Sequence, residues 1–354
     1  PTPASGDPFS TFAGVNVFQP DPANPALWVA HTTGSRAYDP LLPHFIEIYA
    51  YEQGDWQLRG HLDLELADFL YAESMRRVSM PDGQLWLEFN SGIGAHGGCY
   101  DLLRFDGAAL TPVVNHCHSS PLASGGVHDA NQDGAPDLIL NQTIDYVFCY
   151  ACGVRIPMFR VLTFAEGSWQ EVPLRLAGAD VPEAVRQAND TAVSHAQAGL
   201  WQSASALIAP LETADPVVRW NQVLIALHVY DLQAMVAAGA YPLLNQLFYG
   251  DYAAALDVLR PFAPAQLFSP PAQNPLIAET VAQGWETDLA TYVQTYADLA
   301  LGVHPDLAAA YFLRGWAAYL LAPGDAAAVA DIQQAAALAP DDPLLTAAAA
   351  FVTP

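Results

Sequence analysis

The sequence predicts a fold in two parts, β then α: an N-terminal antiparallel, blade-like β domain followed by a C-terminal all-helical domain. Three observations carry this. From Phe12 to about Leu176 the apolar residues alternate with period two and are interrupted at short intervals by Gly, Asp, Asn and Pro; after Pro182 the period becomes helical; and Ala replaces Gly, with 18 Ala between Leu301 and Ala350. The 354 residues divide accordingly into a Pro/Thr/Ser-rich tail at 1–11, a β domain at 12–180 and a helical domain at 181–354, near the expected length of about 150 residues per domain.

Composition narrows the functional classes. Hydrophobic residues make up 52% and charged residues 14%, too apolar a mix for a disordered chain, and no apolar run is long enough to cross a bilayer. Asp and Glu number 37 against 12 basic residues, every one of them Arg, for a net charge of -25. Nucleic-acid binding and docking on an anionic membrane both need clustered Lys and Arg, so both are excluded as expectations. An acidic shell suits solubility and divalent cations. With no Lys, Schiff-base chemistry is excluded too.

The elements follow in chain order. Pro1-Thr2-Pro3-Ala4-Ser5-Gly6-Asp7-Pro8 has neither an initiator Met nor an apolar core, as expected after removal of a signal peptide or beside an N-terminal lipid. This points to an extracytoplasmic protein, secreted or on a bacterial cell surface. Cys99, Cys117, Cys149 and Cys152 fit that compartment as two disulfides in any of three pairings. Cys149 and Cys152 have redox spacing, but their neighbours alternate like a strand, whereas a reactive thiol of that type needs a helix N-terminus.

Three segments each read as strand, Gly turn and return strand: Phe45 to Trp56 around Gly54, Tyr100 onward around Gly107, and Phe159 to Trp169 around Gly167. Another strand precedes each, at Ala26–His31, Gln84–Phe89 and Pro136–Asn141. Within the third unit, Asp129-Ala-Asn131-Gln-Asp133-Gly134-Ala135-Pro-Asp137 sets oxygen-bearing side chains at positions 1, 3, 5 and 9, with Gly at 6 and the Ala135 carbonyl at 7. Alternate residues on a sharply turning loop can aim several hard oxygens at one Ca2+. The alternative is an Asp/Asn-Gly turn that binds nothing, but a turn needs one or two of these residues and not four in register. Leu140 stands where an EF-hand has its Glu, so this is not an EF-hand.

These units and this loop resemble the FG-GAP/VCBS-type repeats of secreted bacterial β-propellers, in which the last Asp heads a strand, as Asp137 heads Leu138-Ile139-Leu140 here. The resemblance implies about three four-stranded units and one structural Ca2+ held at Asp129, Asn131, Asp133, Ala135 and Asp137. Three units are fewer than the roughly four to eight blades of a closed propeller, so the array is expected to stay open, to close on the second half, or to pair with another chain.

In the helical half, Gly199, Trp201, Ala204 and Pro216, then Gly250, Tyr252 and Ala255, then Gly315, Ala328 and Pro340 recur at spacings that resemble tetratricopeptide (TPR) repeats, helix pairs of about 34 residues with small residues at the helix contact. The resemblance implies a TPR-like solenoid that binds protein partners. The Pro-rich stretch from Pro261 to Pro275 should interrupt it as a loop.

Histidines at 96, 116, 118 and 128 have poor spacing for zinc, and no nucleophile elbow, Walker loop, His-Glu-x-x-His or haem motif occurs. Asn141 and Asn189 begin N-x-Thr sequons. The expected function is therefore non-enzymatic: an extracytoplasmic interaction or structural protein that self-assembles into a surface filament or array through its tail, an open β edge and its helical repeats. One alternative is a monomeric secreted or lipoprotein adaptor that recruits a protein partner. A second is a metal- or carboxylate-dependent hydrolase between the two halves, built from His116, His118, His128 and nearby Asp.

Overall fold

The computed structural model describes residues 12–35, 43–94, 97–118, 124–144, 155–230, 242–277 and 286–353. The tail at 1–11, His96, Cys149 and Cys152 lie outside the described residues. The chain forms two compact units, Pro1–Thr143 with Met158–Pro173, and Ile144–Pro157 with Leu174–Pro354.

The first unit is antiparallel β. Strands β1 (Phe12–Phe18), β2 (Leu27–Ser35), β3 (His44–Glu52), β4 (Asp55–Leu64), β5 (Phe69–Leu70), β6 (Arg76–Val78), β7 (Leu85–Ile93), β8 (Gly97–Phe105) and β9 (Leu110–His118) form one sheet, in the order β4-β3-β2-β5-β7-β8-β9 with β1 on β2 and β6 on β7. A second sheet runs β10 (Gly125–His128), β11 (Asp137–Asn141), β12 (Phe159–Ala165) and β13 (Ser168–Glu171). The hairpins at Gly54, Gly107 and Gly167 are β3–β4, β8–β9 and β12–β13. In two of them both turn residues are left-handed, Gln53 and Gly54 at φ 55° and 90° and Glu166 and Gly167 at φ 53° and 78°, the turn whose twist matches that of the strands.

The three units do not stand as separate four-stranded blades. Two-residue β5 pairs with both β2 and β7, Gly34 opposite Leu70 and Leu70 opposite Ser91, and so joins the first two units into one sheet. Only the third keeps four strands of its own. A two-residue bridge carries no periodicity from which it could be read.

The large sheet curls, and β4 returns toward β9 where Gly60 would place a Cβ 3.0 Å from that of Leu110. Its concave side packs Val29, Ile46, Ile48, Leu87, Phe89 and Leu103. The convex side of β7 and β8 carries Trp86, Tyr100 and Leu102 against Val127, Leu138, Leu140 and Leu162 of the second sheet. Cys99 and Cys117, directly opposite in β8 and β9 with Cα atoms 4.0 Å apart, form a disulfide.

The second unit is helical: α1 (Glu183–Gln197), α2 (Trp201–Ile208), α3 (Pro216–Val229), α4 (Pro242–Phe248), α5 (Tyr252–Leu259), α6 (Pro264–Leu267), α7 (Glu286–Val303), α8 (Ala308–Leu321), α9 (Ala326–Leu338) and α10 (Pro343–Val352). Asp215, Asp251, Asp325 and Asp342 each accept a first-turn N–H as N-caps. Pro216 occupies the first turn of α3, where a missing N–H costs nothing. The same tolerance puts α6 and a 3-10 turn at Pro271–Gln273 inside the stretch expected to be loop.

Ala204, Ala255 and Ala328 are buried at the helix contacts, Trp201 stacks on His228 at 3.8 Å between ring centroids, and Tyr252 is buried at the start of α5. A Cβ on Gly315 of α8 would lie 2.8 Å from the Ala328 carbonyl oxygen of α9, so glycine sets that close approach. Pro340 lies in the α9–α10 turn. Asn189 of the second sequon is fully buried and accepts from Asn221, which also donates to the Arg175 carbonyl at 2.6 Å.

Gly199 and Gly250 form the elbows between α1 and α2 and between α4 and α5, at φ 76° and 70°. They pack backbone to backbone: a Cβ on Gly250 would overlap the Gly199 carbonyl. Gly250→Ala therefore combines a left-handed penalty with overpacking and is expected to cost about 2–4 kcal/mol. Urea unfolding followed by helical circular dichroism checks this; an unchanged midpoint contradicts it.

Candidate functional site

The candidate metal loop joins β10 to β11. Gln132 at φ 59° and Gly134 at φ 89° turn it sharply, and its own side chains hold the turn. The Asp129 carboxylate accepts from the amides of Asp133 and Gly134 at 2.9 and 3.0 Å. Asn131 Oδ1 accepts from the Asp133 amide at 3.0 Å while Asn131 Nδ2 donates to Asp133 Oδ2 at 2.8 Å. Asp133 Oδ1 accepts from the Ala135 amide at 2.8 Å. Asp129 and Asp133 are exposed, Asn131 and Asp137 buried. With the carboxylates turned to these amides, no three His, Cys, Asp or Glu side chains converge on one point among the described residues.

Asp137 differs from the rest of the loop. It is 0% exposed, its Oδ2 accepts from the Ala130 amide at 3.0 Å, and its Oδ1 is buried with no partner in hydrogen-bond geometry. Burial pushes its carboxyl pKa up, against the Thr163 hydroxyl and the amides of Ala130 and Asn131, which pull it down. A buried carboxylate oxygen whose neighbouring donors stand off hydrogen-bond geometry is costly to ionise.

Among the described residues of the same unit two other carboxylates are buried, and protein groups meet one fully and the other in part. Glu88 of β7 forms an ion pair with Arg76 of β6 and accepts from the Tyr100 hydroxyl at 2.6 Å and the Val127 amide at 2.8 Å. Arg76 also donates to the Val127 carbonyl at 2.7 Å. This cluster ties the edge strand β10 of the second sheet to the large sheet, and burial together with the charge of Glu88 pushes the Tyr100 phenol pKa far up. Asp101 of β8 is buried and accepts from Asn115 Nδ2 at 2.6 Å; burial outweighs that bond and pushes its pKa up to about 6.

The histidines lie apart from the loop's donor set, save His128, which stands opposite Asp137 in the β10–β11 ladder and is exposed. His116 and His118 stack at 6.2 Å and donate through Nε2 to the carbonyls of Asn141 and Thr143, at 3.2 and 2.5 Å. They fasten β9 to the end of β11.

A different feature faces solvent on the convex side of β1–β4. Val17, Trp28, Tyr49 and Leu58 stand opposite one another in successive strands, and Tyr51 opposite Trp56 extends the row. Exposure is 57% for Val15, 50% for Val17, 38% for Trp28, 52% for Tyr51, 48% for Trp56 and 52% for Leu58. Trp56 meets both Trp28 and Tyr51 edge to face at 5.2 Å, which holds the rings in place. The next row is Val15, Ala30 and Glu47, and Glu47 accepts from Tyr49 and His61.

No family model, curated protein or solved structure matches this chain.

The raised pKa of Asp101 makes a signed prediction. Its folded pKa lies above the ordinary 3.8, so the ionised, buried form lowers stability above about pH 6 and that cost fades as protonation removes the charge. Asp101→Asn keeps the acceptor for Asn115 and is expected to stabilise the β unit by about 1–3 kcal/mol at pH 7.5. Denaturant melts should show the gain shrinking between pH 6 and pH 4; an equal gain at both ends, or a loss at pH 7.5, contradicts it.

Proposed function

We propose that this chain is a non-enzymatic, extracytoplasmic interaction protein, a calcium- and disulfide-stabilised β unit in one chain with helical repeats, which assembles with copies of itself through the convex face of β1–β4. The observation that carries the reading is that face. Contiguous exposed apolar surface of this kind marks interaction sites in soluble proteins, and Trp and Tyr are the residues that anchor them. On a chain of net charge -25, a surface without charge is where a second copy can approach at least electrostatic cost.

Other features support the setting. The Cys99–Cys117 disulfide suits an oxidising compartment, and none of the described helices is long and apolar enough to cross a membrane. The buried alanines at helix contacts and the two glycine elbows agree with the TPR-like spacing, and such solenoids bind proteins. Calcium would sit among Asp129, Asn131, Asp133, the Ala135 carbonyl and Asp137, after Asp129 and Asp133 turn from their amides. It supplies the positive charge that Asp137 Oδ1 lacks.

Charge gives the test its direction. Between about 10 mM and about 1 M salt the screening length falls from about 30 Å to about 3 Å, so repulsion between copies fades while apolar contact does not. Mass measured by light scattering is expected to rise with salt for the native chain, and Trp28→Asp with Leu58→Asp is expected to hold it at the monomer. A monomer at every salt concentration contradicts self-assembly and leaves the adaptor role. Association that persists in the double variant contradicts the face.

A further inference from the structure

A cavity of about 350 Å3 opens at the end of the large sheet, where the β1–β2 loop, β3, β4, the start of β7 and the β8–β9 turn meet. Its floor is the end of the concave core, at Leu27, Ala50, Leu85 and Phe105. Ala50 and Glu52 alternate with Tyr49 and Tyr51 along β3, so the cavity lies on the other side of the sheet from the exposed aromatic row. The rim is acidic: Asp21, Glu52 and Asp106 stand there against one guanidinium, Arg59. Two of these carboxylates are fixed by their own turns. Asp21 accepts from the Ala23 amide at 2.9 Å and from Asn24 Nδ2 at 2.7 Å. Asp106 accepts from the amides of Ala109 and Ala108, both at 2.9 Å, which hold its carboxyl below the ordinary range. Glu52 pairs with Arg59 at 3.4 Å. Among the described residues no three acids converge on one point, so the rim suits charges set apart on one ligand and not a single metal ion. Gln84, on the same wall, carries a buried side-chain oxygen with no partner in hydrogen-bond geometry, an acceptor left over for an N–H.

We propose that this cavity binds a linear aliphatic diamine, its methylenes over the apolar floor and its two ammonium groups on the rim carboxylates. The site stands apart from the convex face and does not depend on self-assembly. A volume above about 300 Å3, an apolar floor and a few placed polar groups are what small-molecule sites have in common. The charge selects the ligand. An anion is repelled by the rim and by a net charge of -25, and a neutral body over the floor would take water from ionised carboxylates and give nothing back. A cation at each end restores what the carboxylates lose, and the chain between them covers the floor. Asp21 and Asp106 are already oriented by their turns, so little side-chain freedom is lost on binding.

Titration calorimetry of the full chain at one ionic strength tests this, with cadaverine, a five-carbon diamine, as the probe and pentylamine and pentanediol as controls. Cadaverine is expected to bind about fivefold or more tightly than pentylamine, and pentanediol to give no signal. Asp21→Asn combined with Asp106→Asn keeps an acceptor oxygen for each turn and should weaken cadaverine about fivefold or more. Arg59→Gln removes the one opposing charge and should tighten it about threefold. Arg160→Gln and Glu171→Gln alter an exposed ion pair of the second sheet, 2.9 Å long, and should leave the affinity within about twofold. No cadaverine binding, equal binding of pentylamine or pentanediol, or remote variants that move the affinity as far as the rim variants would each overturn the site, the last because it is what net charge alone produces. Should the double variant melt below the native chain, Arg59→Gln decides: an affinity unchanged or weakened overturns the proposal.

Discussion

A carboxylate taken out of water must be given back the donors or the positive charge that water supplied, and the described residues of the β unit bury three of them. Glu88 is repaid within the fold by Arg76, Tyr100 and the Val127 amide. In being repaid, it fastens the second sheet to the first, because its partners come from β6, β8 and β10. Asp101 is repaid in part by Asn115 and keeps a raised pKa. Asp137 is left with one oxygen unmatched, at the head of β11 and at the end of an oxygen-rich loop. Three carboxylates among the described residues of one unit thus differ in what the protein supplies.

The same constraint operates at the surface with the opposite sign. A net charge of -25 keeps polyanions and other copies away from most of the molecule, since repulsion acts over a Debye length. The convex face of β1–β4 escapes it, with an uncharged row of aromatic and aliphatic side chains. Association directed to that face gains specificity from the surrounding charge, because wrong orientations bring acid against acid.

Much of this architecture was legible in the sequence. Period-two patterning and the turn glycines located β3–β4, β8–β9 and β12–β13, because left-handed turn residues and alternating faces are local properties. The switch at Pro182 located the helices for the same reason, and the elbow glycines at 199 and 250 stood out because their φ admits little else. What failed to show was non-local. β5 is too short to have a period, so the fusion of two units into one sheet was hidden. Glu88 lies in Leu85-Trp86-Leu87-Glu88-Phe89, a run apolar on both sides, which signals a strand buried on both faces but says nothing of which cation meets the acid. That Tyr49 and Tyr51, alternating with Ile46, Ile48 and Ala50, lie on the open face is not a local property. The loop's donors were legible as a motif; that Asp137 alone is buried and unmatched depends on β10 and β12 closing over it.

The most direct test of the central claim is the thermal stability of the native chain and of Asp137→Asn, each in excess calcium and in EDTA. The substitution keeps the acceptor for the Ala130 amide and removes the buried charge. The native chain is expected to melt several degrees higher in calcium, by about 3 kcal/mol at a hundredfold excess over Kd, while the variant gains nothing from calcium and matches or exceeds the native chain in EDTA. A native chain whose melting ignores calcium, or a variant that gains as much from it, would contradict the account.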